Sequence, residues 1–130
     1  MTMTLRQAQQ LPGVTSARKL DNNTFELTYS NGNRAIRLHD TNIILFYPDG
    51  SFKLNTGGWQ TNVTKQRINQ YAPCEIKQRK NLWYVSHQGK IHDFFCGMIL
   101  KAGEVVTEPA GITENNTLNM MLQFFAHSKN

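Results

Sequence analysis

One short segment of the chain, from Lys53 to Lys80, contains the residue types that bind phosphate. It holds six basic residues and a single acid, Glu75, so its net charge of +5 equals that of the whole 130-residue chain. Positive charge confined to one segment is typical of proteins with phosphate-bearing partners, because such a patch attracts anions. The six basic residues are Lys53, Lys65, Arg67, Lys77, Arg79 and Lys80.

A short helix is predicted inside this segment, from about Lys65 to Ala72. Thr64 precedes it and is a good N-cap, because its hydroxyl can accept from a free backbone N–H group of the first turn. Val63 and Ile68 occupy the two positions of a hydrophobic staple, and Pro73 ends the helix.

The residues around the start of this helix predict a phosphate cradle. Gly57-Gly58 would let the backbone approach a phosphate closely, and Thr61 and Thr64 would add hydroxyl donors. Lys65 and Arg67 would lie in the first helical turn, where basic residues are locally unfavourable unless an anion is bound. An alternative interpretation is a plain turn, an ordinary helix cap and solvated basic residues, since the sequence contains no Walker A pattern.

Aromatic and basic residues near this cradle extend the prediction towards nucleic acid. Trp59 could stack on a base if it is exposed, although burial in the core is an equal alternative. Lys77, Arg79 and Lys80 form a second basic cluster on a predicted edge strand or turn. Such residues would extend the electrostatic footprint, or would only prevent pairing of the edge with other chains.

Catalysis is not indicated by the remaining polar residues. His39-Asp40 and His92-Asp93 suggest a metal-dependent nuclease, but neighbours in a strand point to opposite faces and cannot chelate one ion together. Cys74 and Cys96 belong to no Cys-x-x-Cys pair and are predicted to be packed thiols. We therefore expect no catalytic residue, no metal site and no cofactor.

Turn signals predict three β-hairpins around this segment. Asn31-Gly32 predicts a two-residue turn, Pro48-Asp49-Gly50 a second turn, and Gln88-Gly89 a third turn within a hairpin from Asn81 to Leu100. The predicted cross-strand neighbours are Leu27 with Ile36, Phe25 with Leu38, Glu26 with Arg37, Trp83 with Phe94, and Val85 with His92.

These elements predict the α+β class, as one domain over residues 1–130. An antiparallel sheet of about six strands would fill residues 14–102 around the inserted helix, after a short N-terminal helix at residues 4–11. Residues 103–130 would form a loop and a C-terminal helix at residues 118–127, and 13 aromatic residues would supply the core. The sequence contains no membrane span or signal peptide, so we expect a cytoplasmic protein without a membrane partner.

Part of the chain, roughly residues 18–86, resembles a family of small bacteriophage and prophage proteins for which no activity is established. The resemblance rests on Leu38-His39-Asp40-Thr41, Pro48-Asp49-Gly50, Gly57-Gly58-Trp59 and Arg67-Ile68-Asn69. It implies a phage or mobile-element setting, in which a protein in the host cytoplasm would act as an accessory or as an inhibitor of host defence. No catalytic residue follows from it.

Three functions remain open from the sequence. The leading hypothesis is a non-enzymatic accessory protein that binds nucleic acid or a nucleotide through residues 57–80. The second is an inhibitor that binds a host protein of a defence or polymerase complex, and the third is a metal-dependent nuclease. An exposed edge strand or the apolar C-terminal helix could also support a homodimer.

Overall fold

The computed structural model describes residues 3–107, and this part of the chain forms two antiparallel β-sheets and two short helices. One sheet has seven strands in the order β1-β2-β3-β4-β5-β9-β10, and the other has three in the order β6-β7-β8. The α+β class is confirmed, but the prediction of about six strands was too low. The elements are α1 Leu5–Gln9, β1 Val14–Asp21, β2 Thr24–Tyr29, β3 Arg34–Leu38, β4 Thr41–Phe46, β5 Phe52–Leu54, α2 Asn62–Tyr71, β6 Glu75–Arg79, β7 Leu82–His87, β8 Lys90–Asp93, β9 Ile99–Lys101 and β10 Glu104–Val106.

Three of these strands, β1, β6 and β10, fall outside the predicted hairpins, and β9 lies where the third predicted hairpin was expected to end. Two register irregularities interrupt the alternation of β1, and β6 has only one buried residue, Ile76. Strands β9 and β10 have three residues each and are joined by Ala102-Gly103, both at positive φ. Strands of this kind lack the regular alternation of polar and apolar residues that sequence patterns detect.

The first hairpin forms where predicted, but its register differs by one residue. The Tyr29 N–H donates to the Asn33 carbonyl at 2.9 Å, so the loop has three residues, Ser30 to Gly32, rather than two. Gly32 has a φ of 93°, the conformation that a three-residue hairpin loop requires at its last position. The observed neighbours are therefore Leu27 with Ala35, Phe25 with Arg37, Glu26 with Ile36, and Thr24 with Leu38.

This register divides the apolar residues of the hairpin between the two faces of the large sheet. Phe25 and Leu27 pack on one face with Ala8 of α1. Ile36 and Leu38 pack on the opposite face. A shift of one residue moves a side chain to the other face, so the single face predicted for all four is wrong.

Both faces of the large sheet are consequently covered. On the face of Ile36, helix α2 and the three-stranded sheet contribute Ile68, Ile76, Trp83 and Val85 to one buried cluster. On the other face, α1 covers a second cluster. The site described below lies where the β3–β4 turn meets the loop after β5, at the margin of both clusters.

The second and third hairpins follow the predicted pairing. Asp49 accepts hydrogen bonds from the backbone and hydroxyl of Ser51, and these bonds lower its pKa. Val85 lies opposite His92, and the rings of Trp83 and Phe94 meet edge to face with centroids 5.3 Å apart. The third hairpin ends at Asp93 rather than Leu100, because β9 pairs with β5 and β10 in the large sheet.

The N-terminal helix is also confirmed, as α1, with Thr4 as its N-cap. The predicted C-terminal helix and most of the loop before it lie outside the described residues. Within residues 3–107, no helix is long and apolar enough to span a membrane.

Candidate nucleic-acid interface and adjoining clefts

The loop that carries Gly57 and Gly58 is held by hydrogen bonds of its own. The Gly57 N–H donates to Asn55 Oδ1 at 2.8 Å, and the Gly58 N–H donates to Thr56 Oγ1 at 3.2 Å. The thiol of Cys96 also contacts this loop: it donates to Asn55 Oδ1 at 2.9 Å and accepts from the Thr56 N–H at 3.4 Å. The backbone N–H groups of both glycines, which were expected to let a phosphate approach closely, are therefore already hydrogen-bonded within the loop.

Gly57 packs directly against the β3–β4 turn. A Cβ atom at Gly57 would lie 2.5 Å from Thr41 Oγ1, whereas one at Gly58 would meet nothing within 4 Å. Both residues have positive φ, 64° and 90°, which favours glycine. The contact between Gly57 and Thr41 forms a wall with a cleft on each side, and Asp40 and Thr41 line both clefts.

Helix α2 begins three residues earlier than predicted. Its N-cap is Thr61, whose hydroxyl accepts from the Thr64 N–H at 3.2 Å. Because of this earlier start, Thr64 is part of the helix. It lies on the same face as Ile68, four residues later, and both are buried. Val63 is 46% exposed, so the predicted staple with Ile68 is absent. The hydroxyls of Thr61 and Thr64 bond to each other at 3.1 Å.

Lys65 and Arg67 consequently lie in the second turn of α2, not in the first. Arg67 is 12% exposed; its Nε donates to Thr24 Oγ1 at 3.0 Å and its Nη1 lies 3.5 Å from Asp21 Oδ2. These contacts tie α2 to the β1–β2 hairpin. Lys65 points the other way and donates to Gln78 Oε1 on β6 at 3.0 Å. The structure thus separates two cations that the sequence had placed in one cradle.

The remaining basic residues surround an edge strand. β6 pairs only with β7 in the described part of the chain. Lys77 and Arg79 lie on the outer face of the small sheet, opposite Tyr84 and Leu82, and are exposed. Lys65 reaches the strand from α2. We call the four cations Lys65, Lys77, Arg79 and Lys80 the β6 basic edge; their only ion pair within residues 3–107 joins Lys77 to Glu75 at 3.8 Å.

Trp59 is 70% exposed, whereas Trp83 is 6% exposed and belongs to the core. Of the two alternatives for Trp59, exposure is therefore the one observed. Trp59 lines a cleft of about 420 Å³ together with Leu38 and Val63. We call this the Trp59 cleft. Its apolar walls and exposed indole suit a flat aromatic group such as a base.

The second cleft contains a residue that the sequence did not single out, Arg37. This cleft of about 510 Å³ is lined mainly by polar residues, among them Tyr29, Asn42 and Asn55. Arg37 is half-buried, and its Nη1 donates to Asn42 Oδ1 at 3.1 Å. Its position in a strand gave no sequence signal, because the predicted register paired it with Glu26.

The two His-Asp pairs and the two cysteines lie in different surroundings. The His92 ring bonds to the Gly103 carbonyl at 2.7 Å, while exposed His39 lines the Trp59 cleft. No group of three or more His, Cys, Asp or Glu residues in the described ranges could hold a metal ion. Both cysteines are free thiols, and burial raises the pKa of Cys74 to about 12.

Comparison with known families places this architecture in a phage context. Residues 6–101 match the family model described as Kyanoviridae Gp96 protein. The match covers both clefts and the β6 basic edge. Neither a curated protein nor a solved structure matches the chain.

Proposed function

The chain belongs to the Kyanoviridae Gp96 family of cyanophage proteins, and we propose that it is a non-enzymatic accessory that binds single-stranded nucleic acid in the host cytoplasm. The observation that carries this proposal is the β6 basic edge. A hydrogen bond between α2 and β6 brings Lys65 to the strand that presents Lys77, Arg79 and, at its end, Lys80. Four cations gather there around one edge strand.

Phosphate contact at this surface is favoured by the setting of its cations. Lys77 is 59% exposed, and its one carboxylate neighbour, Glu75, is 64% exposed and lies 3.8 Å away. An exposed pair of this kind is weak, worth about 0–1 kcal/mol, so a phosphate can replace it at little cost. In the part of the chain described, Lys65, Arg79 and Lys80 have no ion pair to lose.

Two aromatic residues support single-stranded over double-stranded nucleic acid. Tyr84 is the cross-strand partner of Lys77 and shares the outer face of the small sheet with it. Trp59 is 70% exposed and lies three residues before the first residue of α2, on the N-terminal side of Lys65. Stacking of an unpaired base on such a ring contributes about 1–3 kcal/mol and requires a base that is not already stacked in a duplex.

The proposal changes the roles of the other predicted residues. Gly57 and Gly58 shape the loop that presents Trp59, while Thr61 caps α2 and bonds to the hydroxyl of buried Thr64. Arg67 anchors α2 to the sheet. We therefore assign the phosphate contacts to the β6 basic edge and the stacking to Trp59.

Tryptophan fluorescence tests the proposal with an oligothymidylate, which has no secondary structure of its own. We expect saturable quenching by the single strand and much weaker quenching by a duplex of equal length. Trp59→Phe should abolish the quenching, because Trp83 is buried, and should keep most of the affinity measured by anisotropy. Trp59→Ala should lower the affinity by about fivefold or more. An affinity unchanged in both variants would refute the stacking role.

A protein partner is the alternative favoured by a specific observation. Leu82 and Ile91 are 63% and 67% exposed, and both lie on the outer face of the small sheet with Tyr84. Exposed apolar residues of this size on one face are typical of protein-binding surfaces. A stoichiometric complex with a host protein that survives nuclease treatment and is lost in Leu82→Ser/Ile91→Ser would favour this alternative.

A further inference from the structure

The cleft that contains Arg37, here called the Arg37 cleft, adjoins the Gly57–Thr41 wall; it shares Asp40 and Thr41 with the Trp59 cleft but no residue with the β6 basic edge. The end of α1, strands β2 to β4 and the loop after β5 surround it. Its volume of about 510 Å³ falls in the range of small-molecule sites, about 300–1,000 Å³.

The Arg37 side chain is held in place but its charge is not balanced. Its Nη1 donates to Asn42 Oδ1, and Asn42 Nδ2 in turn donates to the Tyr29 hydroxyl at 2.7 Å, which orients the amide. Its Nε is buried and has no hydrogen-bond partner among the described residues. Within residues 3–107, no carboxylate lies at ion-pair distance from Arg37.

Three other arginines of the sheet region are paired. Arg18 and Arg34 both contact Glu26, at 2.9 and 2.7 Å, and Arg67 contacts Asp21. A half-buried guanidinium with only a neutral acceptor is costly, because partial burial removes water without supplying a counter-charge. The planar guanidinium is also the group that best recognises carboxylates and phosphates.

We infer that the Arg37 cleft binds a small molecule through one oxyanion group, a carboxylate or a phosphate monoester, held by the Arg37 guanidinium. Asp40 at the lip of the same cleft limits the charge of the ligand, since a polyphosphate would be repelled. The same carboxylate favours a ligand that carries hydroxyl or amino donors at its other end. Neither Arg37 nor this cleft takes part in the proposed nucleic-acid contact.

NMR of the Arg37 Nε–Hε group tests this inference directly. The ¹⁵N-labelled full chain is titrated separately with inorganic phosphate and with acetate, at constant ionic strength. We expect a saturable shift of the Arg37 signal with at least one anion, and the anion that gives it identifies the ligand class. Titration that shifts no arginine signal, or that shifts all exposed arginine signals equally and without saturation, would overturn the inference.

Two variants, Arg37→Gln and Asp40→Asn, are expected to change the affinity for the anion in opposite directions. Arg37→Gln should weaken anion binding by about tenfold or more, measured on the backbone signals that line the cleft, because the charged donor is lost. Arg34→Gln, an exposed site three residues earlier in the same strand, is the matched control and should leave binding unchanged.

Asp40→Asn should tighten anion binding by about fivefold, because it removes the repelling charge. Asp40 is exposed and lies in a turn, so this variant tests the site even if Arg37→Gln folds poorly. Anion binding that persists in Arg37→Gln, or that weakens in Asp40→Asn, would contradict an Arg37 site.

Discussion

The Gly-Gly-Trp loop and the β6 basic edge belong to one charged segment of the sequence, yet they differ in how their polar groups are used. In the loop, Asn55 accepts from the Gly57 N–H, Thr56 accepts from the Gly58 N–H, and the Cys96 thiol accepts from the Thr56 N–H. At the β6 basic edge, Lys77, Arg79 and Lys80 are exposed, while Lys65 is half-buried and donates to Gln78. We therefore interpret the loop as scaffold and propose the edge as the surface that binds a ligand.

The difference shows that a phosphate-binding composition does not by itself make a phosphate-binding site. Glycine and threonine near a helix start can cradle an anion only if their donors remain free. Here Gly57 instead packs against Thr41, and this contact separates two clefts. If this distinction is right, changes in the loop should affect stability, and changes at the edge should affect binding.

The largest effect on stability is expected for Gly57→Ala. The new Cβ would lie 2.5 Å from Thr41 Oγ1, and the alanine would have to keep the positive φ of Gly57. We therefore expect a loss of about 3 kcal/mol in the free energy of unfolding. Gly58→Ala has the same backbone penalty without the clash and should cost about 1 kcal/mol. Urea unfolding of both variants checks the order, and equal costs would show that the wall is not rigid.

Arg67 should affect stability far more than Arg37 does. Arg67→Ala leaves Asp21 and Thr24 without their shared partner and should cost about 2 kcal/mol. Arg37→Gln removes a half-buried charge that has no carboxylate partner within residues 3–107, but it also removes the hydrogen bond to Asn42, so stability should change by less than about 0.5 kcal/mol. Chemical denaturation measures both. A larger loss for Arg37→Gln would mean that its charge is balanced within the fold.

A smaller effect is expected when the edge is neutralised. The triple variant Lys77→Gln/Arg79→Gln/Lys80→Gln should change the free energy of unfolding by less than about 0.5 kcal/mol, because the three side chains are exposed. Thermal unfolding of this variant beside the wild type checks the value. A substantial loss of stability would place these cations in the scaffold rather than at a binding surface.

The reactivity of the two cysteine thiols tests the two regions without any substitution. Cys96 is exposed beneath the loop, and Cys74 lies between α2 and β6 with its pKa raised to about 12 by burial. Because the thiolate is the reactive form, iodoacetamide at pH 8 should modify Cys96 first and spare Cys74. Peptide mapping checks the order. Modification of Cys74 should rise as the pH approaches 12, and early modification of Cys74 would show that the α2–β6 junction opens.

Much of the fold could be predicted, because its hairpin turns have strong local signals. The turns at Pro48-Asp49-Gly50 and Gln88-Gly89 gave correct pairing. Asn31-Gly32 marked a hairpin but not its loop length, since the extra residue depends on the hydrogen bond between Tyr29 and Asn33. β6 could not be predicted from alternation, because one buried residue produces no pattern.

The candidate site was less predictable, because its chemistry depends on tertiary contacts. The sequence placed Lys65 and Arg67 together, but the start of α2 at Thr61 turns them towards different partners. Exposure of Trp59 was one of two open alternatives. Nothing local distinguishes Arg37 from the paired Arg34, because a missing counter-ion is visible only in the folded chain.

The salt dependence of binding to a single-stranded oligonucleotide tests the central claim most directly. The logarithm of the association constant should fall linearly with the logarithm of salt concentration. In Lys77→Gln/Arg79→Gln/Lys80→Gln the slope should be smaller by about 2, since each lost phosphate contact removes about 0.7. The control Arg6→Gln/Arg18→Gln/Lys19→Gln removes three exposed cations elsewhere and should keep the wild-type slope. Equal slopes in all three proteins, or no binding at low salt, would contradict the β6 basic edge as the phosphate-binding surface.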